Sequence, residues 1–232
     1  MVRGQFVLVF LALILLGTLS ATSNIQITQA QTNITILPDG SIDPPHENLT
    51  KTGDTYTFTG DLLGVNLMVQ SSSIVIDGAG HSIYRIGLSQ VQSVTVMNVD
   101  ISAGTGGISL GDCMNIDTNH NNITGTTILA AISLSDSHHC SVSENRLTST
   151  YGAIRLSGGD SEYNFIYGNG IRSFNTGISL MYGASDNVVC ENSLVGVKSW
   201  GSIGVQIYSA ESYPFSQNNN VSGNTMDSCG VG

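Results

Sequence analysis

The sequence predicts an all-β chain, a right-handed parallel β-helix (solenoid) with an N-terminal β cap. Three observations predict it. A motif of a small residue, an aliphatic, any residue and a second aliphatic recurs as Gly107-Ile108-Ser-Leu110, Ala131-Ile132-Ser-Leu134, Ala153-Ile154-Arg-Leu156, Gly177-Ile178-Ser-Leu180 and Gly204-Val205-Gln-Ile207, at steps of 24, 22, 24 and 27 residues. A second motif, aliphatic-x-x-Asn-x-aliphatic, is interleaved with it: Val142 to Leu147, Ile166 to Ile171, Val189 to Leu194 and Val221 to Met226. The composition agrees, with 27 glycines in 232 residues and only 10% charged side chains. Such a chain makes many tight turns and short strands.

The elements follow in order. Arg3 precedes an unbroken apolar run, Phe6 to Leu16, and then small residues at Gly17, Ser20, Ala21 and Ser23. This is the layout of a secretory signal, assigned to residues 1–23 with the cleavage point open; the run is short for a bilayer span of roughly 20 residues. A retained anchor is the alternative, and no other stretch is apolar enough to span. Residues 24–69 read as a leader and N-terminal cap, with Tyr56, Phe58, Leu62, Leu63 and Leu67 as apolar cover, since an open first coil exposes core and unpaired strand edges. Residues 70–232 are the repeats. The chain stops at Gly232 inside a coil, which reads as truncation of a longer protein.

The physics of the repeat lies in its period. In Ile-x-Leu both aliphatics point to one side of a strand and the middle residue to the other. Stacking coils about 4.8 Å apart places each aliphatic on its equivalent. Ile108, Ile132, Ile154, Ile178 and Val205 are thus expected in one interior column. The recurring Asn145, Asn169, Asn192 and Asn224, with Asn119 in a degenerate copy, sit where the chain bends and are read as structural turn residues.

These residues carry a resemblance. Ile74-Val-Ile-Asp-Gly-Ala-Gly80-His, followed by the Gly-Ile-x-Leu and Ile-x-x-Asn-x-Ile units, resembles the right-handed parallel β-helix repeat family, in its NosD-like secreted branch. The leader Ile34 to Pro45 and Gly53 to Thr59 looks like those found before such helices in prokaryotic surface proteins. The resemblance covers roughly residues 32–232. It implies the fold; the family spans lyases, hydrolases, epimerases and copper-site maturation partners, so it leaves the activity open.

Charge narrows the partners. Seven basic against 17 acidic residues give −10, and the scattered Lys and Arg exclude nucleic acid, which needs them clustered. An acidic surface also repels polyanions such as pectate unless Ca²⁺ bridges. Asp112, Asp136, Asp160 and Asp186 recur at steps of 24, 24 and 26. If stacked, they form a carboxylate column suited to Ca²⁺, the one ion suggested as a cofactor; Asp is equally a good turn residue. Arg155, on a strand between Ser133 and Ser179, is the basic candidate beside Asp136 and Asp160 for acid–base chemistry. Asp136-Ser-His138-His139-Cys140, one coil after Asp112, Cys113, Asp117 and His120, is the densest set of metal-ligating residues. Adjacent strand residues face opposite ways, so no tight copper or zinc site is expected from His138 and His139, even with Asp112 and Asp136. Four cysteines, Cys113, Cys140, Cys190 and Cys229, allow three pairings; Cys113–Cys140 is the plausible one. Tyr167, Tyr182, Trp200, Tyr208 and Tyr213 suit sugar faces, and the last two flank the longest insertion, Ser209–Asn220.

The reading favoured by the residues is a secreted or cell-surface protein directed at carbohydrate or a cell-surface glycan, without catalysis by this chain alone. A polysaccharide lyase or hydrolase fragment and a NosD-like copper-site accessory protein are the alternatives.

Overall fold

The computed structural model describes residues 31–102, 107–126, 130–149, 151–197, 201–209 and 213–229. The expected signal peptide and Trp200 lie outside these described residues. Two antiparallel pairs come first: β1 (Thr32–Ile36) with β2 (Ile42–Asp43), and β3 (Leu49–Thr52) with β4 (Thr55–Phe58). All other pairings between the described strands are parallel. β5 (Leu62–Val69), β6 (Val75–Asp77), β7 (Ser82–Ser89), β8 (Thr95–Met97) and β9 (Asp100–Ser102) lead into coils of three strands. These are β10 (Ile108–Gly111), β11 (Asp117–Asn119) and β12 (Asn122–Thr126); β13 (Ala130–Ser135), β14 (Ser141–Ser143) and β15 (Arg146–Ser149); β16 (Gly152–Ser157), β17 (Phe165–Tyr167) and β18 (Gly170–Arg172); β19 (Thr176–Met181), β20 (Val188–Cys190) and β21 (Ser193–Val195); and β22 (Ile203–Tyr208), β23 (Asn220–Ser222) and β24 (Thr225–Asp227). The result is an all-β parallel solenoid of about six turns.

Three faces run along it. The first is β5-β7-β10-β13-β16-β19-β22, the second β4-β6-β8-β11-β14-β17-β20-β23 and the third β9-β12-β15-β18-β21-β24. β7 serves two of them: Ser82 and Ile83 pair with β9, and Ile86 to Ser89 with β10. Each face buries one residue of every two. On the first face Ile34, Leu67, Ile86, Ile108, Ile132, Ile154, Ile178 and Val205 stand in register. All are buried except the half-buried Val205 of the last coil. On the second face Tyr56, Ile76, Val96, Thr118, Val142, Ile166, Val189 and Val221 form the equivalent column. Thr118 is the exception in chemistry: it is fully buried and its hydroxyl has no hydrogen-bond partner. In the leader Tyr56, Phe58, Leu62 and Leu67 are buried, whereas Leu63 points out and is 61% exposed.

The turns explain why Asn recurs. At the turn after the second face, Asn169 Oδ1 accepts both the backbone N–H and the side-chain Nδ2 of Asn145, each at 3.0 Å. Asn169 Nδ2 then donates to the Val142 carbonyl at 2.8 Å. The same bonds link Asn121 to Asn145, Asn169 to Asn192 and Asn192 to Asn224. Inward-pointing turn N–H groups, which must find acceptors once buried, thus find them on the next coil. The register puts Asn121 in this ladder rather than Asn119, which sits two residues earlier on β11 and donates to Asp117. A second ladder, not foreseen from sequence, starts where Cys140 N–H donates to Asn164 Oδ1 and continues through Asn187 to Asn219. One coil at a time, the same position reads Ile74, Val94, Ile116, Cys140, Asn164, Asn187 and Asn219. The switch from apolar side chain to amide comes halfway along.

Left-handed residues also stack. Gln90, Asp112, Asp136 and Tyr182, with Gly158 at φ +99°, close the first face; Ser93, Asn115, His139, Tyr163, Asp186 and Asn218 precede the second. The single column of four aspartates that stacked turns would give therefore does not form. Asp112 and Asp136 are in register and Gly158 follows them. Two extra turn residues carry Asp160 past that position, and Asp186 belongs to the second turn. Asp tolerates positive φ better than most residues, which accounts for three of the four.

Candidate functional site

Two surface regions gather the polar and aromatic candidates. The first is a cleft of about 380 Å³ lined by Asp112, Asp136, His138, His139, Asp160, Glu162 and Tyr163. The Asp136 carboxylate lies against Gly158, where a Cβ would collide with it. His139 is exposed, and its ring packs 5.3 Å from that of Tyr163 and 5.4 Å from that of His138. The carboxylates and imidazoles share the cleft but do not converge: among the described residues no three His, Cys, Asp or Glu side chains gather around one point. Of the ligand types on the preceding coil, Asp112 lines the cleft, while His120 and Cys113 have other surroundings. His120 Nε2 is 2.7 Å from Glu144 Oε2, in a different turn column. Cys113 and Cys140 are buried free thiols rather than the bridge thought plausible. Burial pushes the Cys140 thiol up to about 11 and raises that of Cys113, so both stay protonated at neutral pH. Cys190 and Cys229 are free and half-buried.

The second region is the outer side of the first face. Its outward column reads Met68, Gly87, Ser109, Ser133, Arg155, Ser179 and Gln206 in strict register. Arg155 lines two adjoining cavities there. One, of about 140 Å³, is bounded by Ala130, Tyr151, Thr176, Ser179, Met181 and Gln206 among others. The other, of about 190 Å³, is bounded by Arg85, Gly107, Ile108, Ser109, Ala130 and Ser133. Arg155 is thus not brought to Asp136 or Asp160, which line the separate cleft beyond the end of the strand. The physical reason is that strand alternation points Arg155 straight off the sheet, while both aspartates lie in the turn.

The tyrosines divide in the same way. Tyr208 pairs with Met181 across β22 and β19, so the edge of the first face runs into an aromatic cluster. Tyr182 is its hub, 5.9 Å from Tyr208 edge-on and 4.6 Å from Tyr213. Tyr208 and Tyr213 are 44% and 52% exposed. Tyr167 is apart from them on the second face, stacked 4.5 Å from Phe165. Arg85 was missed in the sequence. Arg85 stands in Ile83-Tyr-Arg-Ile86-Gly-Leu88, a repeat copy without the small residue that begins the others, so only the aliphatic spacing marked it.

Residues 51–206 match the model of a family described as NosD, periplasmic copper-binding protein. No curated protein sequence matches the chain. Among solved structures, the catalytic domain of a GH87 α-1,3-glucanase, as its D1068A variant with tetrasaccharides, is matched at 11% identity and a TM-score of 0.12. That match covers 74% of this chain, and the chain spans 60% of that domain's length.

Proposed function

We propose, from the premise that this chain belongs to the NosD family, that it is an exported binding protein whose first face receives an extended carbohydrate without turning it over. Export is supported by the basic-then-apolar N-terminus and by the family's periplasmic description. The observation that carries the binding reading is the Tyr182–Tyr208–Tyr213 cluster at the edge of the Arg155-lined cavities. Rings exposed beside a rigid, hydroxyl-rich sheet combine an apolar face with hydrogen-bond donors, the two features a sugar ring engages. Acid–base catalysis needs a proton donor or acceptor within hydrogen-bond reach of the reacting group and of its partner. Arg155 shares its cavities with serines and a second arginine rather than with a carboxylate, so catalysis is not part of this reading.

Copper is the ion that the family description supplies, and the side chains here do not fit it. The imidazoles of His138 and His139 sit among hard carboxylates, which suit Ca²⁺ or Mg²⁺ better than copper. The thiols of Cys113 and Cys140, which would suit copper, are buried and protonated. A glycan array probed with the purified chain tests the proposal. Binding to a defined set of saccharides, lost in Tyr208→Ala and Tyr213→Ala, is expected; a folded chain that binds none overturns it. Copper titration is the second arm. Stoichiometric uptake abolished by His138→Ala with His139→Ala moves the function to the copper reading.

A further inference from the structure

The first face holds a cationic site that has no acidic partner among the described residues. β7 and β16 are three steps apart in the sheet, about 14 Å at the usual strand spacing, yet Arg85 and Arg155 line one cavity across Ser109 and Ser133. Arg85 Nη2 donates to Ser109 Oγ at 3.2 Å. The Nε of each arginine is buried and without a hydrogen-bond partner. Among the described residues no carboxylate lines either cavity, and the only ion pairs involve His81 and His120. Met68 packs over Gly87 on the neighbouring strand.

Acids outnumber bases 17 to 7 in this chain. Two half-buried guanidiniums that line one cavity, with no acid among the described residues lining it, are therefore an arrangement that mutual repulsion disfavours until an anion joins them. The planar fork of arginine matches a carboxylate or sulfate in two parallel bonds, and the Ser109 and Ser133 hydroxyls lie between the two forks. We infer that Arg85 and Arg155 form an oxyanion site that takes the carboxylate or sulfate of an acidic sugar. The overall charge of −10 does not oppose this at short range, because salt screens exposed charges beyond about 8 Å at physiological ionic strength. The saccharide part of the inference rests on the carbohydrate reading above; the anion part does not.

The test is calorimetric titration of the intact chain with three probes: trigalacturonate, the same trimer fully methyl-esterified, and sodium sulfate. Trigalacturonate is expected to bind about tenfold or more tightly than its ester, a difference abolished in Arg85→Ala and Arg155→Ala, partly kept in Arg155→Lys and weakened by salt. Unchanged circular dichroism melting shows that the variants fold. Equal affinity for acid and ester, with Tyr208 still required, overturns the anion site and leaves the carbohydrate reading standing. Sulfate binding that needs both arginines, with neither saccharide bound, upholds the anion site and overturns the carbohydrate reading. Acid-selective binding that ignores both arginines overturns the assignment of the site.

Discussion

The two sides of the first face obey different rules on the same strands. Inward, the column from Ile34 to Val205 holds one kind of residue, an aliphatic, at every coil. Outward, one residue away, the column changes at nearly every step: Met, Gly, Ser, Ser, Arg, Ser, Gln. Packing in the dry interior is unforgiving of volume and charge, so repetition marks structure. The outer column faces water, and its departures from repetition mark what the surface is for. Arg155 is the largest departure.

Neighbouring residues on one strand give the sharpest test of that contrast. Ile154→Asp places an unpaired carboxylate in the apolar stack and is expected to cost at least about 3–5 kcal/mol, abolishing cooperative unfolding. Arg155→Asp, one residue on, is expected to leave the melting temperature nearly unchanged. Paired thermal melts check both, and a comparable loss in the two variants breaks the distinction between sides. The turns come next. Asn169 makes bonds to both neighbouring coils, so Asn169→Ala strips acceptors from buried N–H groups and is expected to lose roughly 2–3 kcal/mol by urea titration; a loss under 0.5 kcal/mol would mean that the ladder is decorative.

The buried thiols add a pH signature. Burial raises Cys140 from its ordinary 9.0 to about 11, so the folded state holds a proton that the unfolded chain releases. The stability from keeping that thiol neutral is complete below pH 9 and is lost as pH rises from 9 to about 11. The expected loss is about 3 kcal/mol, two pH units of offset at about 1.4 kcal/mol each. Cys140→Ala should flatten that slope in alkaline urea melts, and an unchanged slope contradicts the burial. Smallest of all, Thr118→Val removes a buried hydroxyl without a partner at similar volume. It is expected to raise stability by about 1 kcal/mol, against the usual direction for a core substitution.

These contrasts also explain what the sequence made legible. Ile-x-Leu spacing identified the inward column because burial repeats the same demand at every coil. The Asn ladder was visible for the same reason, except at its start: the degenerate copy was matched on Ile116 and Asn119, while strand register placed Asn121 in the stack. The second ladder escaped because its position is Ile or Val in the early coils, and a motif that changes chemistry midway has no single signature. The candidate site was legible only in fragments. Sequence spacing grouped Asp136, Asp160 and Arg155, but two extra residues in one turn and the alternation of a strand put them in different cavities. Arg85 was beyond reach, since its partnership with Arg155 spans three coils and exists only when the chain is wound.

The central claim is that the outer column of the first face is where ligand binds. A crystal structure of the chain soaked with trigalacturonate tests it most directly. The account predicts a saccharide lying along Ser109, Ser133, Arg155 and Ser179, with a carboxylate between Arg85 and Arg155 and a ring against Tyr208. Saccharide in the Asp112–Asp136–Asp160 cleft, with the arginines untouched, would contradict it.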